Sequence, residues 1–372
     1  MRIGIDCRLP YYRLGGISQY VLGLLPALAE LDTENTYLIF HQGRDGRSYL
    51  PPAPNFYRRH LWTPCHHRLE RWTVAAELLP HHLDVCHSPD FIPPAFATGR
   101  PVITIHDLSF LFYPQFLTAE SRRYYPGQIA WAVQRAAHIL ADSQHTRRDL
   151  IEQLSVPQEK VTAVPLAANP LYEQSWAAPI VEATLQFFNL PRGFLFFVGT
   201  LEPRKNLPTL LKAYQSLFLE GVMDVPLVVV GSRGWLYEES LAAIGELGLH
   251  RHVHLLDKVS DEQLAHLYTA AALLAMPSHY EGFGLPVLEA MHCGCPVIAS
   301  NRASLPEVVG TAGLLLDPND SEAWAAAMAQ VLTNSQLRQQ LVEAGYSQAS
   351  QFTWQKTAAA TLRVYLDTTL PD

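Results

Sequence analysis

The sequence predicts an α/β protein of two consecutive doubly wound domains, each a parallel sheet with helices on both faces. Short apolar runs such as PVITIHD (Pro101–Asp107) and LVVVG (Leu227–Gly231) alternate with stretches of helical period, the βαβα order of a parallel sheet. The alternation lapses near Ala168–Arg192 and resumes at Phe194. A chain of 372 residues also exceeds what one core of ordinary size serves, so two domains are expected.

Composition narrows the class of partner. With 48% hydrophobic and 17% charged residues the chain reads as globular and soluble, not disordered. A net charge of −8 lacks the basic footprint of a nucleic-acid-binding protein, so no nucleic acid is expected as partner. The five cysteines, Cys7, Cys65, Cys86, Cys293 and Cys295, are odd in number and scattered, which argues against a disulfide framework. They complete no zinc spacing, and no metal is expected. The opening MRIGIDCRL alternates like a strand and lacks a signal-peptide core. No apolar run approaches the roughly 20 residues of a membrane helix, so a cytoplasmic place is expected.

In the first domain, Met1–Leu9 reads as a strand, Gly15-Gly16 as a glycine loop, and Ser18–Leu31 as a helix capped by Ser18. Strand, glycine turn and helix form the phosphate-binding order of doubly wound folds. Asn35–His41 and Val85–His87 are expected strands, with the proline-rich Leu50–Phe56 as loop between them. PVITIHD is a buried strand ending in His106. Ligands gather at the carboxyl ends of parallel strands, so His106 stands where chemistry is expected. Ser121–Ala137 reads as a helix, His138–Ser143 as a strand, Thr146–Leu154 as a helix and Val161–Pro170 as the last strand. The domain is bounded as residues 1–170, with a linker at 171–192.

The second domain, 193–354, opens with the strand Phe194–Val198 and the run Gly199-Thr200-Leu201-Glu202-Pro203-Arg204-Lys205-Asn206, followed by a helix over Leu207–Leu219. Arg204 and Lys205 lie between strand end and helix start, where two cations clamp a diphosphate. Leu227–Gly231 and His252–Leu256 are strands. Asp261 and Glu262 after Val259-Ser260 suit the positive end of a helix. Leu273–Met276, Val297–Ser300 and Leu314–Leu316 are further strands. Leu305-Pro306-Glu307 opens a short helix, and Ser321–Leu332, Leu337–Phe352 and Thr357–Asp367 read as the closing helices.

Between the strands ending at Met276 and starting at Val297 lies YEGFGLPVLEAMHCGC. It holds Glu281 and Glu289 with seven residues between them. Gly282 and Gly284 take backbone angles closed to other residues, so their loop brings its N–H groups close to a ligand. Pro286 suits the first turn of a helix. The positive end of that helix attracts an anion, and a phosphate is the expected one. Glu281 before the helix and Glu289 about one turn inside it are expected to flank one ligand.

The run EGFGLPVLEAM-x-CG-x-PVIAS resembles the signature of the retaining family-4 glycosyltransferases of GT-B fold. IDCRL with Gly15-Gly16, TIHD, ILADS, GTLEPRKN, VSDEQL, LYTAA, PSHYEGFGLPVLEA and LPEVVG follow in family order along nearly the whole chain. The resemblance implies two Rossmann-like domains facing a cleft, the first binding the acceptor. It also implies a last helix, within 355–372, that returns to the first domain. It implies that Glu281 contacts the transferred sugar, Glu289 the ribose hydroxyls, and Arg204 and Lys205 the diphosphate. By the same resemblance the backbone of Gly15, Gly16, Gly282, Phe283, Gly284 and Leu285 binds phosphate or sugar oxygens and Thr200 joins the donor set. His106 then lies at the reacting carbon, and the backbone near Val259 meets the base. The chain departs from the family in Asp257-Lys258, where Gly-Tyr is common, and in Thr269, where arginine is common.

The implied reaction moves a hexose from a nucleotide diphosphate sugar to a carbohydrate or lipid-linked acceptor with retained anomeric configuration. TIHDLSFLFYP with GTLEPRKN looks most like mannosyltransferases of polysaccharide assembly, so GDP-mannose is the leading donor. No D-x-D pair suggests a metal-held diphosphate, and no cofactor is expected. A lipid-linked acceptor would bring the protein to the inner face of the membrane as a peripheral visitor. The acceptor is expected against loops such as Asp45–Phe56 and Tyr113–Tyr125. Rival classes lack their marks. Gly282-Phe283-Gly284 has Val287 where a dinucleotide fingerprint needs its third glycine, no lysine follows a glycine as a phosphate loop requires, and G-x-S-x-G is absent. Within the fold, a sugar-nucleotide epimerase, a pyridoxal-phosphate phosphorylase and a non-catalytic binding protein are the alternatives.

Overall fold

The computed structural model describes residues 1–12, 15–96, 99–219, 221 and 225–369. Residues 370–372, the end of the stretch assigned to the returning helix, lie outside the described residues. The chain forms two compact units. One comprises Met1–Leu111, Ala119–Ala167 and Phe352–Asp372, the other Phe112–Thr118 and Ala168–Gln351. The expected acceptor loop Tyr113–Tyr125 is therefore divided, its first residues packing with the second unit.

The first unit holds seven parallel strands: β1 (Arg2–Asp6), β2 (Thr36–Gln42), β3 (Phe56–Leu61), β4 (Val85–Ser88), β5 (Arg100–Ile105), β6 (His138–Ala141) and β7 (Val161–Ala163). Their order is β3-β2-β1-β4-β5-β6-β7. Ile3, Ile5, Val102 and Ile103 are fully buried, as expected of strands covered on both faces. Several elements went unforeseen, among them a short helix at Leu9–Tyr12 that starts on the last residue of the expected first strand, the helix Ala178–Phe188 inside the expected linker, the helix Glu238–Glu246, the edge strand β3 and the helix Glu70–Leu78. The sequence FYRRHL of β3 hides its strand character because Tyr57, Arg59 and His60 point to solvent at the sheet edge. The helix Glu70–Leu78 buries only Glu70, Val74, Ala75 and Leu78. The first long helix, Gly16–Leu31, begins two residues before the expected cap: Gly15 occupies the N-cap, and Ser18 is buried inside the helix.

The C-terminal helix Trp354–Asp367, capped by Thr353, packs against Gly16–Leu31. Gly23 makes the approach feasible, because a Cβ there would lie 2.2 Å from Cε2 of Trp354. A buried chain of hydrogen bonds ties the helix into the sheet. Tyr365 Oη donates to Nδ1 of His87 (2.6 Å), Nε2 of His87 donates to Oγ1 of Thr104 (2.8 Å), and Thr104 donates to Oη of Tyr20 (3.2 Å). Burial and the charge of His106 push the His87 imidazole down to about 3, so it serves this chain as the neutral ring.

The second unit holds six parallel strands: β8 (Leu195–Val198), β9 (Leu227–Val230), β10 (Val253–Leu256), β11 (Leu273–Met276), β12 (Val297–Ser300) and β13 (Gly313–Leu316). Their order is β10-β9-β8-β11-β12-β13. One core face joins β8, β9 and β11 to the helices Leu207–Leu219 and Ser321–Thr333 around the fully buried Trp324. Among the described residues no helix is long and apolar enough to cross a membrane.

Candidate active site

In both sheets the strand order reverses beside the first strand, between β1 and β4 and between β8 and β11. Loops leaving the carboxyl ends of two such strands diverge, which opens a crevice suited to a ligand. Arg204 and Lys205 follow β8 and Glu281 follows β11, at the second of these crevices, whereas His106 follows β5 and Val259 follows the edge strand β10.

The loop after β8 turns through Pro203–Lys205 and ends at Asn206, whose φ of 55° is left-handed, a conformation asparagine tolerates. Asn206 donates to the carbonyls of Pro277 (3.1 Å) and Pro318 (2.6 Å), fixing the loop to those that follow β11 and β13. The loop after β11 brings Glu281. Lys205 Nζ lies 2.5 Å from Glu281 Oε1, and Arg204 Nη1 donates to Glu281 Oε2 (3.1 Å) and to the Tyr280 carbonyl (2.6 Å). Arg204 Nη2 also donates to Glu202 (2.8 Å). Burial works against ionisation of Glu281, yet Lys205 and Arg204 outweigh it and hold the carboxyl below its usual range.

Behind this cluster starts the helix Leu285–His292, whose N-cap Gly284 has φ +105°. A Cβ on Gly284 would also lie 2.7 Å from Leu305, so both backbone and space require glycine. The hydroxyl of buried Ser304 lies between the carbonyls of Glu281 (2.8 Å) and Phe283 (2.9 Å), shares its one proton with them and fixes the loop. Pro286 carries no N–H and the Val287 N–H turns back to the Gly284 carbonyl (3.0 Å), so the positive end of this helix is presented by the backbone at Gly284 and Leu285. Glu289 sits on the buried face of this helix and accepts from Tyr268 Oη (3.0 Å). Burial, against the Tyr268 hydrogen bond, pushes its carboxyl up to about 7. The two glutamates thus have different partners and opposite electrostatic settings.

Thr200 lies half-buried between β8 and the cation pair, with its methyl against Gly234. The loops after β8 and β9 approach so closely that a Cβ on Gly231 would lie 1.9 Å from the Gly199 carbonyl oxygen. Val259 follows Lys258, which takes a left-handed φ of 56°, and precedes the Ser260–Gln263 capping box of helix Asp261–Ala270.

In the first unit His106 follows β5. Its Nδ1 donates to Asp142 Oδ2 beyond β6 (2.7 Å), and its Nε2 donates to the Pro89 carbonyl beyond β4 (2.8 Å). Burial opposes charge on the ring, but Asp142 prevails and raises the imidazole to about 9. With both nitrogens donating, the ring is an imidazolium at neutral pH. Gly15 and Gly16 open the helix Gly16–Leu31; a Cβ on Gly16 would meet nothing within 4 Å. At the β1/β4 crevice Arg8, 2% exposed, donates to Asp6 and Glu70 (2.6 and 2.8 Å) and to the Thr63 carbonyl.

The structure thus joins Arg204, Lys205, Glu281 and the Gly282–Leu285 loop directly, and gives His106 its own set of partners in the first unit. Sequence reasoning passed over Asn206, Ser304, Asp142 and Arg8 as individual residues. A left-handed asparagine before a helix was a readable signal for the first alone. Among the described residues no three His, Cys, Asp or Glu side chains converge to hold a metal ion.

Two parallel sheets, each with a switch point beside its first strand, define a protein of the doubly wound class. Comparison with known proteins narrows the class. Residues 186–348 match the family model described as glycosyl transferases group 1, and residues 14–170 match that of glycosyltransferase family 4. The chain is 33% identical over 377 residues to the O-antigen chain mannosyltransferase B of Escherichia coli, covering 95% of this chain and 96% of that one. Among solved structures it is similar to a sucrose-phosphate synthase from Thermosynechococcus elongatus, with TM-score 0.80, 22% identity and 98% of each chain covered. It is also similar to WaaG, a glycosyltransferase involved in lipopolysaccharide biosynthesis, with TM-score 0.75, 18% identity, and 98% and 99% covered. The chain belongs to the family-4, group 1 glycosyltransferases, and its two parallel-sheet domains are those of the GT-B fold.

Proposed function

We propose that the protein transfers mannose from GDP-mannose to a carbohydrate or lipid-linked acceptor, with retention and without a metal ion. The observation that carries this reading is the cluster of Lys205, Arg204 and Glu281 beside the Gly282–Leu285 helix mouth. The mannose donor rests on the mannosyltransferase that is 33% identical along its whole length.

The chemistry follows from charge. Breaking a sugar–diphosphate bond leaves negative charge on the phosphate and positive charge on the ring. Arg204, Lys205 and the helix N-terminus stabilise the first, taking the part a divalent ion plays elsewhere. A bound diphosphate competes with Glu281 for the two cations. As the cations turn to phosphate, the carboxylate is released toward the sugar ring and stabilises its positive charge. Glu289 accepts from the ribose hydroxyls, the backbone near Val259 meets the base, and Thr200 joins the donor set. The departing phosphate takes the acceptor's proton on the same face, which retains configuration. His106, with both N–H groups committed, supplies fixed charge and position instead of proton transfer. The acceptor is met in the cytoplasm or at the inner face of the membrane.

The test is proton NMR of the product formed from GDP-α-mannose and an oligomannose acceptor, with and without a chelator. An α-linked product formed equally in both supports the reading. A β-linked product, a requirement for added metal, or transfer from UDP-sugars alone contradicts it.

A further inference from the structure

A second pocket, of about 410 Å³, lies in the second unit between the segment 112–118 and the loops after β11, β12 and β13. Tyr113, Gln115, Phe116, His279, Arg302 and Asn319 line it. None of them has a part in the donor site described above.

Its aromatic wall is ordered. The rings of Tyr113 and Phe116 are 5.5 Å apart and 2° from parallel. The His279 ring lies 6.1 and 6.4 Å from them at 25° and 26°. Tyr113 Oη donates to the His279 carbonyl (3.3 Å), which fixes the stack to the loop that carries Glu281. Burial lowers the His279 imidazole from its ordinary range, so the wall is uncharged at neutral pH. The rim is polar: the exposed Gln115 and Asn319 supply amides, and Arg302 supplies a guanidinium whose charge Asp317 offsets at 2.6 Å.

We infer that this pocket binds a neutral pyranose unit of the acceptor chain, an inference that rests on the glycosyltransferase reading. A pyranose presents an apolar C–H face and a rim of hydroxyls, the complement of parallel rings bordered by amides and a guanidinium. The pocket volume lies within the roughly 300–1,000 Å³ of small-molecule sites. The pocket also shares a wall with the donor loop. His279 precedes Glu281 by two residues, and Ser304, two residues after Arg302, holds the carbonyls of Glu281 and Phe283. A sugar here lies next to the transferring centre, and the pocket reads a residue of the chain being extended.

The test is titration of the whole protein with mannotriose and, separately, with GDP, for wild type, Phe116→Ala and Arg302→Gln. Mannotriose affinity is expected to fall about tenfold in each variant, with KM for mannotriose as acceptor rising alike and GDP affinity unchanged. Wild-type mannotriose affinity in both variants, equal loss of GDP affinity, or displacement of mannotriose by GDP overturns the inference. If wild type binds mannotriose and the variants do not, yet no nucleotide sugar supports transfer, the pocket stands and the transferase reading fails. If transfer proceeds and both variants keep the wild-type KM for mannotriose, the pocket fails and the transferase reading stands.

Discussion

Lys205 Nζ and Glu281 Oε1 lie 2.5 Å apart although they stand 76 positions apart in the chain. Arg204 takes the other oxygen of the same carboxylate, so one anion holds two cations at the β8/β11 switch point. The proposed donor site is thus a cluster of opposing charges held in contact with one another.

Removing either side of this balance is expected to remove one electrostatic stabiliser of the transition state. Lys205→Ala and Glu281→Gln should each lower kcat about a hundredfold. Steady-state kinetics with GDP-mannose checks this, and circular dichroism shows whether the fold is kept.

Glu289 should make nucleotide binding depend on pH near neutrality. Its folded-state carboxyl, raised to about 7 by burial, is largely protonated at pH 6 and ionised at pH 8. Ribose hydroxyls donate better to the carboxylate, so GDP affinity should rise from pH 6 to 8 and level out in Glu289→Gln. The linked stability has the opposite sign. A raised carboxyl pKa contributes stability that is present below the unfolded value of 4.5 and lost as pH rises through about 7. Glu289→Gln should therefore gain on wild type in urea stability at pH 8 relative to pH 5.

His106 and Asp142 make a separate pH prediction. The raised imidazole contributes stability that is present below its unfolded value of 6.5 and lost as pH rises through about 9. Asp142→Asn removes the opposing charge and should bring the His106 pKa down by more than one unit, as read by NMR titration of the ring. It should also flatten stability between pH 7 and 10.

The contact of Gly23 with Trp354 predicts a packing effect. Gly23→Ala forces a methyl into the indole and should cost about 1–3 kcal/mol of unfolding free energy. In a Trp354→Ala background the same change should cost far less, a coupling that a double-mutant cycle measures.

Most of the α/β alternation was legible because fully buried parallel strands such as ITI and VVV are dense in β-branched residues. Leu207–Leu219 matches its expected bounds, and the returning helix carries a strongly periodic apolar face. The edge strand Phe56–Leu61 was not legible, since its arginines and histidine mask the alternation. Gly15 replaced Ser18 as cap because a glycine at the end of the loop serves as well there, and the apolar pattern of the helix begins only with Ile17. At the site, sequence position located Arg204, Lys205, Glu281 and His106 at strand ends. It gave no sign that Glu281 holds both cations, that Asp142 charges His106, or that Tyr268 meets a buried Glu289. These pairings join residues 21 to 77 positions apart, and only the folded sheet order brings them together.

A nucleoside diphosphate is expected to bind at the Lys205–Arg204–Glu281 cluster. Thermal unfolding of wild type and Lys205→Ala, each with GDP, UDP and ADP at equal concentration, tests it most directly. At about one hundred times its dissociation constant, a ligand stabilises the fold by roughly 2.7 kcal/mol. A clear rise in Tm of wild type with GDP is expected, and a much smaller one in Lys205→Ala. No shift of wild type by any of the three nucleotides, or an equal shift in the variant, would contradict it.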